Sequence, residues 1–422
     1  MARILRDAGA ADRSADRSAA ATKLNPEHQQ ALAKSALSPE QAASLGWSSL
    51  HNGRLLIPYI RPDGSAEIRH NGKPFSRERL SDQEISERKR KGEKKPNRYI
   101  SPTGEGSRLY HSAIAIKRGD YNERLDNINI PIRFGEGEKK VESATIHDPD
   151  RITIGLSGVW GWVDKYDGGE ESKPLIDFDD LKLQNREVRL CFDSDFLTNP
   201  QVLLALKRFA IFLQEKGANV LIEILPHGLD GKRLGLDDLI FRHGAEIFQE
   251  IASIARSPFK TVRKKGEDIQ VWAFNPQPKD TRERNAYLYG MIGRDWRVSP
   301  DGKDHWQQWT GAHWETVSGD DQITQEIERF AHIQDWQNRE LPVIRSLMAA
   351  FRRRLDRAAY HHPKHLLPFA NGCLNITENR LIPHDRKHGN NWSLPFDYDD
   401  SADCPSIQAF LADRLGEAEN RS

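Results

Sequence analysis

Two short acidic groups offer the most chemistry in this chain: Gly135-Glu136-Gly137-Glu138 and Phe192-Asp193-Ser194-Asp195. Each follows an apolar run, residues 130–134 in the first case and 188–192 in the second. Both runs read as β-strands, which places Glu136, Asp193 and Asp195 just past strand ends. In open α/β sheets the crevice beyond the carboxyl ends of the strands is where ligands bind. Asp193 and Asp195 are two residues apart, so in an extended segment both project to the same face. Three carboxylates gathered there repel one another, and a divalent cation is the usual remedy. Oxygen ligands of this kind suit Mg²⁺ (or Mn²⁺), which keeps several waters and pairs with substrate phosphates. Glu136 could complete the metal shell or move a proton during phosphoryl chemistry. Without metal, like-charge repulsion should raise at least one carboxyl pKa. Taken singly, each motif is a common loop pattern; their recurrence at two strand ends of one sheet is what favours a site.

The elements around these groups alternate. Residues 138–147 read as a helix and 152–156 as a strand. Asn199 caps a helix with Pro200 in its first turn and an apolar face of Val202, Leu203, Leu206, Phe209, Ala210 and Leu213, ended by Gly217. Residues 220–225 form a short apolar run stopped by Pro226, and its β-branched content favours a buried strand. Strands alternating with helices predict an α/β fold with a mostly parallel sheet. Upstream, Asn25-Pro26 and Ser38-Pro39-Glu40-Gln41 read as helix starts. Residues 54–60 and 66–69 flank Pro62-Asp63-Gly64, a hairpin signal. Residues 86–98 carry seven basic and two acidic side chains without periodicity, which reads as an exposed loop.

The length of 422 residues predicts two to three domains. The expected division is a disordered leader at 1–22, an N-terminal region at 23–125 with the basic loop, and a sheet domain at 126–255. A charged linker at 256–270 and a separate C-terminal α+β domain at 271–422 complete it. Seven of the ten tryptophans fall between Trp272 and Trp392, which marks the change of composition. Residues 306–314 read as a hairpin turning at Thr310-Gly311, 321–359 as helical, and 366–395 as short strands and turns. Basic and acidic residues balance at 62 each, so no global field favours nucleic acid or membrane, and local clusters decide. Cys191, Cys373 and Cys404 show no Cys-x-x-Cys spacing, which argues against a disulfide framework or zinc site and for a reducing cytoplasm. No run approaches the ~20 apolar residues that span a bilayer, so no membrane partner is expected.

The order Glu-Gly-Glu after one strand and Phe-Asp-Ser-Asp after a later one resembles the Toprim domain of primases, topoisomerases and some nucleases. The wider text, with residues 155–162 (Gly-Leu-Ser-Gly-Val-Trp-Gly-Trp), Asn199-Pro200 and Gly235-Leu236-Asp237-Asp238, is similar to the uncharacterised Toprim-like domain of phage and plasmid primase-helicases. This likeness covers roughly residues 24–250. It implies that Glu136 is the Toprim glutamate and that Asp193 and Asp195 are the metal pair. It further implies that Asp237 and Asp238 form a later acidic motif and that Lys232 contacts phosphate. Toprim sequences often carry a glycine soon after the Asp pair, whereas Phe196-Leu197-Thr198 follows here. The C-terminal text, residues 369–375 and 394–398 and then Cys404-Pro405, resembles the domain preceding the helicase in satellite-phage and poxvirus-type primase-helicases.

That likeness implies nucleoside triphosphates as substrate, single-stranded DNA as template, and a helicase. No Gly-x-x-x-x-Gly-Lys-[Ser/Thr] occurs: near Gly231-Lys232-Arg233, Pro226 stands where the first glycine belongs and Arg233 replaces the hydroxyl. The helicase is therefore expected as a separate chain, or the protein as a shortened relative. Candidate nucleic-acid contacts are Arg88, Lys89, Arg90, Lys91, Lys94 and Lys95 in the basic loop, and Arg352, Arg353 and Arg354 further on, since cationic side chains gain affinity by counterion release. The functions expected are Mg²⁺-dependent primer synthesis, a Toprim-type nuclease, or a non-catalytic adapter that binds DNA and docks a helicase. The Trp-rich hairpin could stack bases, but tryptophans in such a hairpin more often form a small core.

Overall fold

The computed structural model describes residues 24–164, 173–264, 266–299, 305–355, 363–403, 405, 406 and 409. The leader at 1–22 and Cys404 lie outside the described residues. Asn25 accepts the N–H of His28 and Pro26 opens helix α1 (Pro26–Ala33). Ser38 and Gln41 form a reciprocal capping box at α2 (Pro39–Ser44). A four-stranded antiparallel sheet follows, made of β1 (Ser48–Ser49), β2 (Leu55–Pro58), β3 (Ser76–Arg79) and, after a helix, β4 (Tyr99–Ile100). The hairpin expected across Pro62-Asp63-Gly64 forms as a short one: Arg61 N–H donates to Ser65 O at 2.8 Å and Glu67 N–H to Tyr59 O at 3.0 Å, around the bridge of Ile60 with Ala66. The principal partner of β2 is β3, which pairs Leu55 with Arg79 through Pro58 with Ser76. Leu55 and Ile57 supply the buried face of that pair, so Ser-Arg-Glu-Arg carries no apolar alternation of its own.

The basic stretch is corrected in its first half. Residues 82–90 form α3 (Asp82–Arg90), capped reciprocally by Ser81 and Glu84, with Arg88, Lys89 and Arg90 in its last turn. Cations there oppose the negative end of the helix dipole. The chain then turns through 91–98 into β4.

The second layer is the parallel sheet. Its elements run β5 (Tyr110–His111), α4 (Ala113–Lys117), α5 (Tyr121–Asp126), β6 (Ile132–Glu136), α6 (Glu138–His147) and β7 (Ile152–Leu156). After a small ribbon, β8 (Val163–Asp164) with β9 (Lys173–Pro174), come β10 (Glu187–Cys191), α7 (Pro200–Glu215), β11 (Asn219–Ile222), α8 (Leu236–His243) and α9 (Glu246–Ser253). The strand order is β11-β10-β6-β7-β5. The first four strands are parallel and β5 joins β7 antiparallel at the edge. The α/β expectation therefore holds. Asn199 caps α7, whose Val202, Ala205, Leu206, Phe209, Ala210 and Leu213 are buried. Phe209 meets Phe134 of β6 at 5.2 Å between ring centroids, and Trp162 stacks on Phe209 at the same distance.

Two sets of buried carboxylates join this sheet to what precedes it. Glu142 in α6 accepts from Tyr110 Oη (2.5 Å), Ser112 Oγ (2.7 Å) and the N–H groups of Ala113 (2.7 Å) and Ile114 (3.3 Å). Glu138 accepts from Tyr59 Oη at 2.7 Å and Arg77 Nη1 at 2.6 Å. A third network lies within the sheet. Arg133 of β6 donates to Glu223 (2.7 and 2.9 Å) and Asp148 (2.7 Å), with the Phe248 ring 4.2 Å from its guanidinium carbon. Arg189, its register neighbour on β10, adds a 3.1 Å bond to Glu223 and pairs with Glu187, while Arg151 pairs with Asp148. Burial alone would raise the Glu223 pKa, but Arg133 and Arg189 outweigh it and hold the carboxyl below its ordinary value.

The linker expected at 256–270 is instead a ribbon. β12 (Phe259–Lys264) and β13 (Glu267–Trp272) pair antiparallel through six residues, and Arg256 bridges back to Ile222. Helix α10 (Thr281–Ile292) follows, then β14 (Trp296–Val298), β15 (Trp306–Trp309) and β16 (Trp314–Val317) in one antiparallel sheet. The helical segment expected at 321–359 breaks into α11 (Asp321–Ile333) and α12 (Leu341–Arg354). Strands β17 (Leu366–Phe369), β18 (Gly372–Asn375) and β19 (Arg380–Ile382) close the described chain with a second meander.

The chain divides into two compact units, Met1–Met291 with Ile327–Ala350, and Ile292–Glu326 with Phe351–Ser422. The division thus falls twenty residues beyond the boundary expected near 271, and the first unit reclaims part of the helical segment. In the second unit Trp296 and Trp306 are buried edge-to-face at 6.1 Å, and Phe351 stacks on Trp306. The Trp-rich hairpin is therefore core.

Candidate functional site

Strands β6 and β10 run side by side with Gly135 opposite Cys191, so both acidic groups leave the sheet at the same edge. Gly137 then turns with φ 89°, which favours glycine, and α6 starts at Glu138 without a side-chain cap. Beyond β10, a 3₁₀ turn spans Ser194–Leu197. Ser194 fixes that turn: its N–H donates to Leu234 O at 3.1 Å and its Oγ accepts from Leu234 N at 2.9 Å. The loop bearing Arg233 is thereby laced to the loop bearing Asp193 and Asp195.

Asp193 and Asp195 share one cation, Arg233, and both act electrostatically on Glu136. Asp193 is buried, and its Oδ1 takes a 2.5 Å bond from Lys140 Nζ. Arg233 Nη1 lies 3.5 Å from Asp195 Oδ2 and 3.8 Å from Asp193 Oδ2. Asp195 Oδ1 is buried without a hydrogen-bond partner. The Glu136 pKa is raised, first by burial and then by repulsion from Asp193 and Asp195, against the opposing pull of Lys140. For Lys140, burial works against the ammonium but Asp193, Glu136 and Asp237 outweigh it, so its pKa is raised.

The other sequence candidates separate. Asp237 and Asp238 open α8 and line the same cleft. Asp237 Oδ2 is already engaged, accepting from Ser35 Oγ at 2.7 Å with Lys139 Nζ at 3.8 Å. The Asp238 pKa is raised by burial and by its neighbour Asp237. Lys232 lies apart: its side chain is 81% exposed and pairs with Asp230 at 3.3 Å. Its neighbour Arg233 takes the inward position.

Across the cleft, Lys89, Lys94, Lys95 and Arg98 face the acidic floor, together with Arg79 and the buried Arg77. Arg88, Arg90 and Lys91 do not line it; Arg88 pairs with Glu93 and Arg90 with Glu87. The cleft encloses about 700 Å³, and among the described residues nine cationic side chains line it against five anionic ones. Such an excess suits a polyanion. Arg352 of α12 lies 4.8 Å over the Trp306 ring, a packing role in the second unit, while Arg353 and Arg354 are exposed.

Sequence reasoning missed Lys139, Lys140, Arg233, Arg77 and Arg79, and counted Arg98 in the basic stretch without singling it out. A signal for two of them existed. Lys139 and Lys140 sit in the first turn of α6, where the helix dipole disfavours cations, and such a placement calls for a compensating partner.

The donor set suits a hard divalent cation in kind: carboxylate oxygens only, one of them buried and unpartnered. Among the described residues no three His, Cys, Asp or Glu side chains close around one point. Lys140 holds the inner oxygen of Asp193 and Ser35 holds Asp237. What the chemistry allows is the pair Asp193 and Asp195, since Mg²⁺ is commonly held by one or two carboxylates together with waters and substrate phosphates, and Lys140 occupies one oxygen of that pair. Gly235 leaves room for that close packing, since a Cβ there would come within 2.9 Å of Lys140 Cε and 3.3 Å of Asp193 Oδ1.

Fold and site together define an α/β protein with an acidic strand-end crevice rimmed by cations. Residues 284–416 match the family described as D5 N terminal like, and residues 121–247 match a domain of unknown function, DUF3854. The first match bears out the likeness of the C-terminal part to the pre-helicase segment of primase-helicases, and so points to a DNA replication protein of that kind. The acidic sheet lies in the second. No curated protein matches the chain. Among the described residues no helix is long and apolar enough to cross a membrane.

Proposed function

We propose that this is a primase-like replication protein whose Toprim-like sheet joins nucleoside triphosphates on a single-stranded DNA template. The observation that carries the reading is the sharing of one cleft by Glu136 and Asp193 at the strand ends and the basic rim. Asp193 and Asp195, with Glu136 beside them, would hold Mg²⁺ or Mn²⁺, which neutralises charge developing on a transferred phosphoryl group. Lys89, Lys94, Lys95 and Arg98 would track the nucleic-acid backbone, with sequence-independent affinity from counterion release. Arg233, bridging the aspartates, takes the phosphate-steadying role first given to Lys232.

The test is primer synthesis on single-stranded DNA with Mg²⁺, comparing wild type with Asp193→Asn. Synthesis that disappears in the variant supports the reading; equal synthesis by both sinks it. Cleavage of labelled DNA in place of extension would identify a Toprim-type nuclease.

A second reading is a non-catalytic adapter that binds DNA and docks a separate helicase. The Lys140–Asp193 pair favours it, because an ammonium already neutralises the carboxylate a cation would use. DNA binding without any Mg²⁺ binding by calorimetry would select the adapter.

A further inference from the structure

Lys140 lines the cleft and holds the carboxylate that the proposed cation would use. Its ammonium reaches Asp193 Oδ1 at 2.5 Å, and its Cε lies 2.9 Å from where a Cβ on Gly235 would stand. Glu136, Asp193 and Asp195 carry three negative charges; Lys140 and Arg233 return two. Arg233 is 60% exposed and bridges both aspartates at 3.5 Å or more, whereas Lys140 is 19% exposed and makes the single short contact. A buried carboxylate without such a partner is costly, so the pair keeps the crevice stable while no other cation is present. The same ammonium lies on the wall of a cleft with an excess of cations. A phosphate entering there is a second acceptor within reach of a flexible four-carbon stem.

We propose that Lys140 is an exchangeable counter-ion. It neutralises Asp193 in the empty cleft, and it transfers to a phosphate of the bound nucleotide or nucleic acid when Asp193 takes a divalent cation. This rests on the cation site of the preceding reading. It adds that cation and phosphate binding favour each other through one side chain: each ligand removes the competitor of the other. Such coupling is reciprocal by thermodynamic necessity. It also has the opposite sign to the ordinary effect of Mg²⁺ on a basic DNA-binding surface, which is to weaken binding by competing for phosphates.

The experiment uses the full chain, with Mn²⁺ binding followed by calorimetry and by electron paramagnetic resonance. Lys140→Gln should bind Mn²⁺ about tenfold more tightly than wild type or better, the size of effect one adjacent charge has on a carboxylate. Lys140→Arg, which keeps the charge, should stay close to wild type and shows whether any gain in Lys140→Gln comes from charge removal. Equal or weaker Mn²⁺ binding by Lys140→Gln overturns the exchange while leaving the cation site standing. Absence of Mn²⁺ binding in wild type and Lys140→Gln alike removes the cation site and the exchange with it.

Fluorescence polarisation with a labelled oligothymidylate, and separately with a fluorescent nucleoside triphosphate, reads the second half of the cycle. In wild type, low millimolar Mg²⁺ should tighten one of these two; in Lys140→Gln that gain should vanish or reverse. The ligand whose gain is lost identifies the phosphate that Lys140 meets. A gain of equal size in both proteins would overturn the transfer.

Discussion

The same sheet carries two clusters of charge built to opposite rules. In the middle of the strands, Arg133, Arg189 and Arg151 meet Glu223, Asp148 and Glu187, three charges against three, with bonds of 2.7–3.1 Å. At the strand ends, Glu136, Asp193 and Asp195 meet only Lys140 and Arg233, and one carboxylate oxygen has no partner. Both clusters are drawn from β6 and β10, and Arg133 and Glu136 are three residues apart on one strand. In the first cluster the charges balance, although Arg133 Nη1 and Arg151 Nε are buried without a hydrogen-bond partner, and that balance of charge makes it architecture. A surplus of one sign, held beside a cleft, leaves something for a ligand to complete.

The largest effect belongs to Arg133→Met, which strands Glu223 and Asp148 in the interior. Urea unfolding should show a loss of about 3–5 kcal/mol, while Mn²⁺ binding by the folded fraction stays at the wild-type level. Asp193→Asn should do the reverse: Mg²⁺-dependent synthesis falls by about a hundredfold or more, the range typical of losing a group that stabilises transition-state charge, with unfolding changed by about 2 kcal/mol or less. If both variants lost stability alike, the strand-end cluster would be architecture too.

The clusters should also answer pH with opposite sign. Glu223 is held below its ordinary value of 4.5, so its stabilisation is complete above that pH and is lost as pH falls through the folded value. Glu136 is held above 4.5, so the folded state favours its protonated form, and stability falls as pH rises from 4.5 through the raised value. Chemical denaturation across that range should therefore show Glu223→Gln with less acid loss than wild type, and Glu136→Gln with less loss on the way up.

On the rim, replacing Lys89, Lys94 and Lys95 by alanine should lower the salt dependence of DNA binding by about two to three counterions, about one per phosphate contact. An unchanged slope would take those residues out of the nucleic-acid path. The smallest effect belongs to Ser81→Ala, which removes the cap of α3 and should cost about 1 kcal/mol, with Lys89 less well placed and a slight loss of DNA affinity.

The sheet was legible because its strands are short and mostly apolar, as at 152–156 and 188–192, and because Asn199-Pro200 and Gly217 mark both ends of α7. The acidic edge was legible for the same reason, since strand ends locate Glu136, Asp193 and Asp195. What escaped was whatever depends on a partner far away in the chain. The 76–79 strand is polar and is a strand only because β2 brings the apolar face. The ribbon at 259–272 has largely exposed faces and so no apolar alternation to read. Its turn, at Gly266 with φ 90°, was the available sign. Helix α3 was hidden by its charge, although Ser81 and Glu84 spell a capping box. Lys232 was preferred to Arg233 on motif grounds, and only the lacing of Ser194 to Leu234 decides which of the two faces inward.

The carboxylates of α6 bear on how such a domain is inherited. The family match over residues 121–247 begins after Tyr59, Arg77, Tyr110 and Ser112. Those groups donate to Oε1 of Glu138 and to both oxygens of Glu142 in the interior. A fragment cut at the limits of the match would carry two acids stripped of their donors and a sheet missing its antiparallel edge. The stretch recognisable between relatives is thus shorter than the stretch able to stand alone, and transplanting it between proteins would require the preceding hundred residues to travel with it.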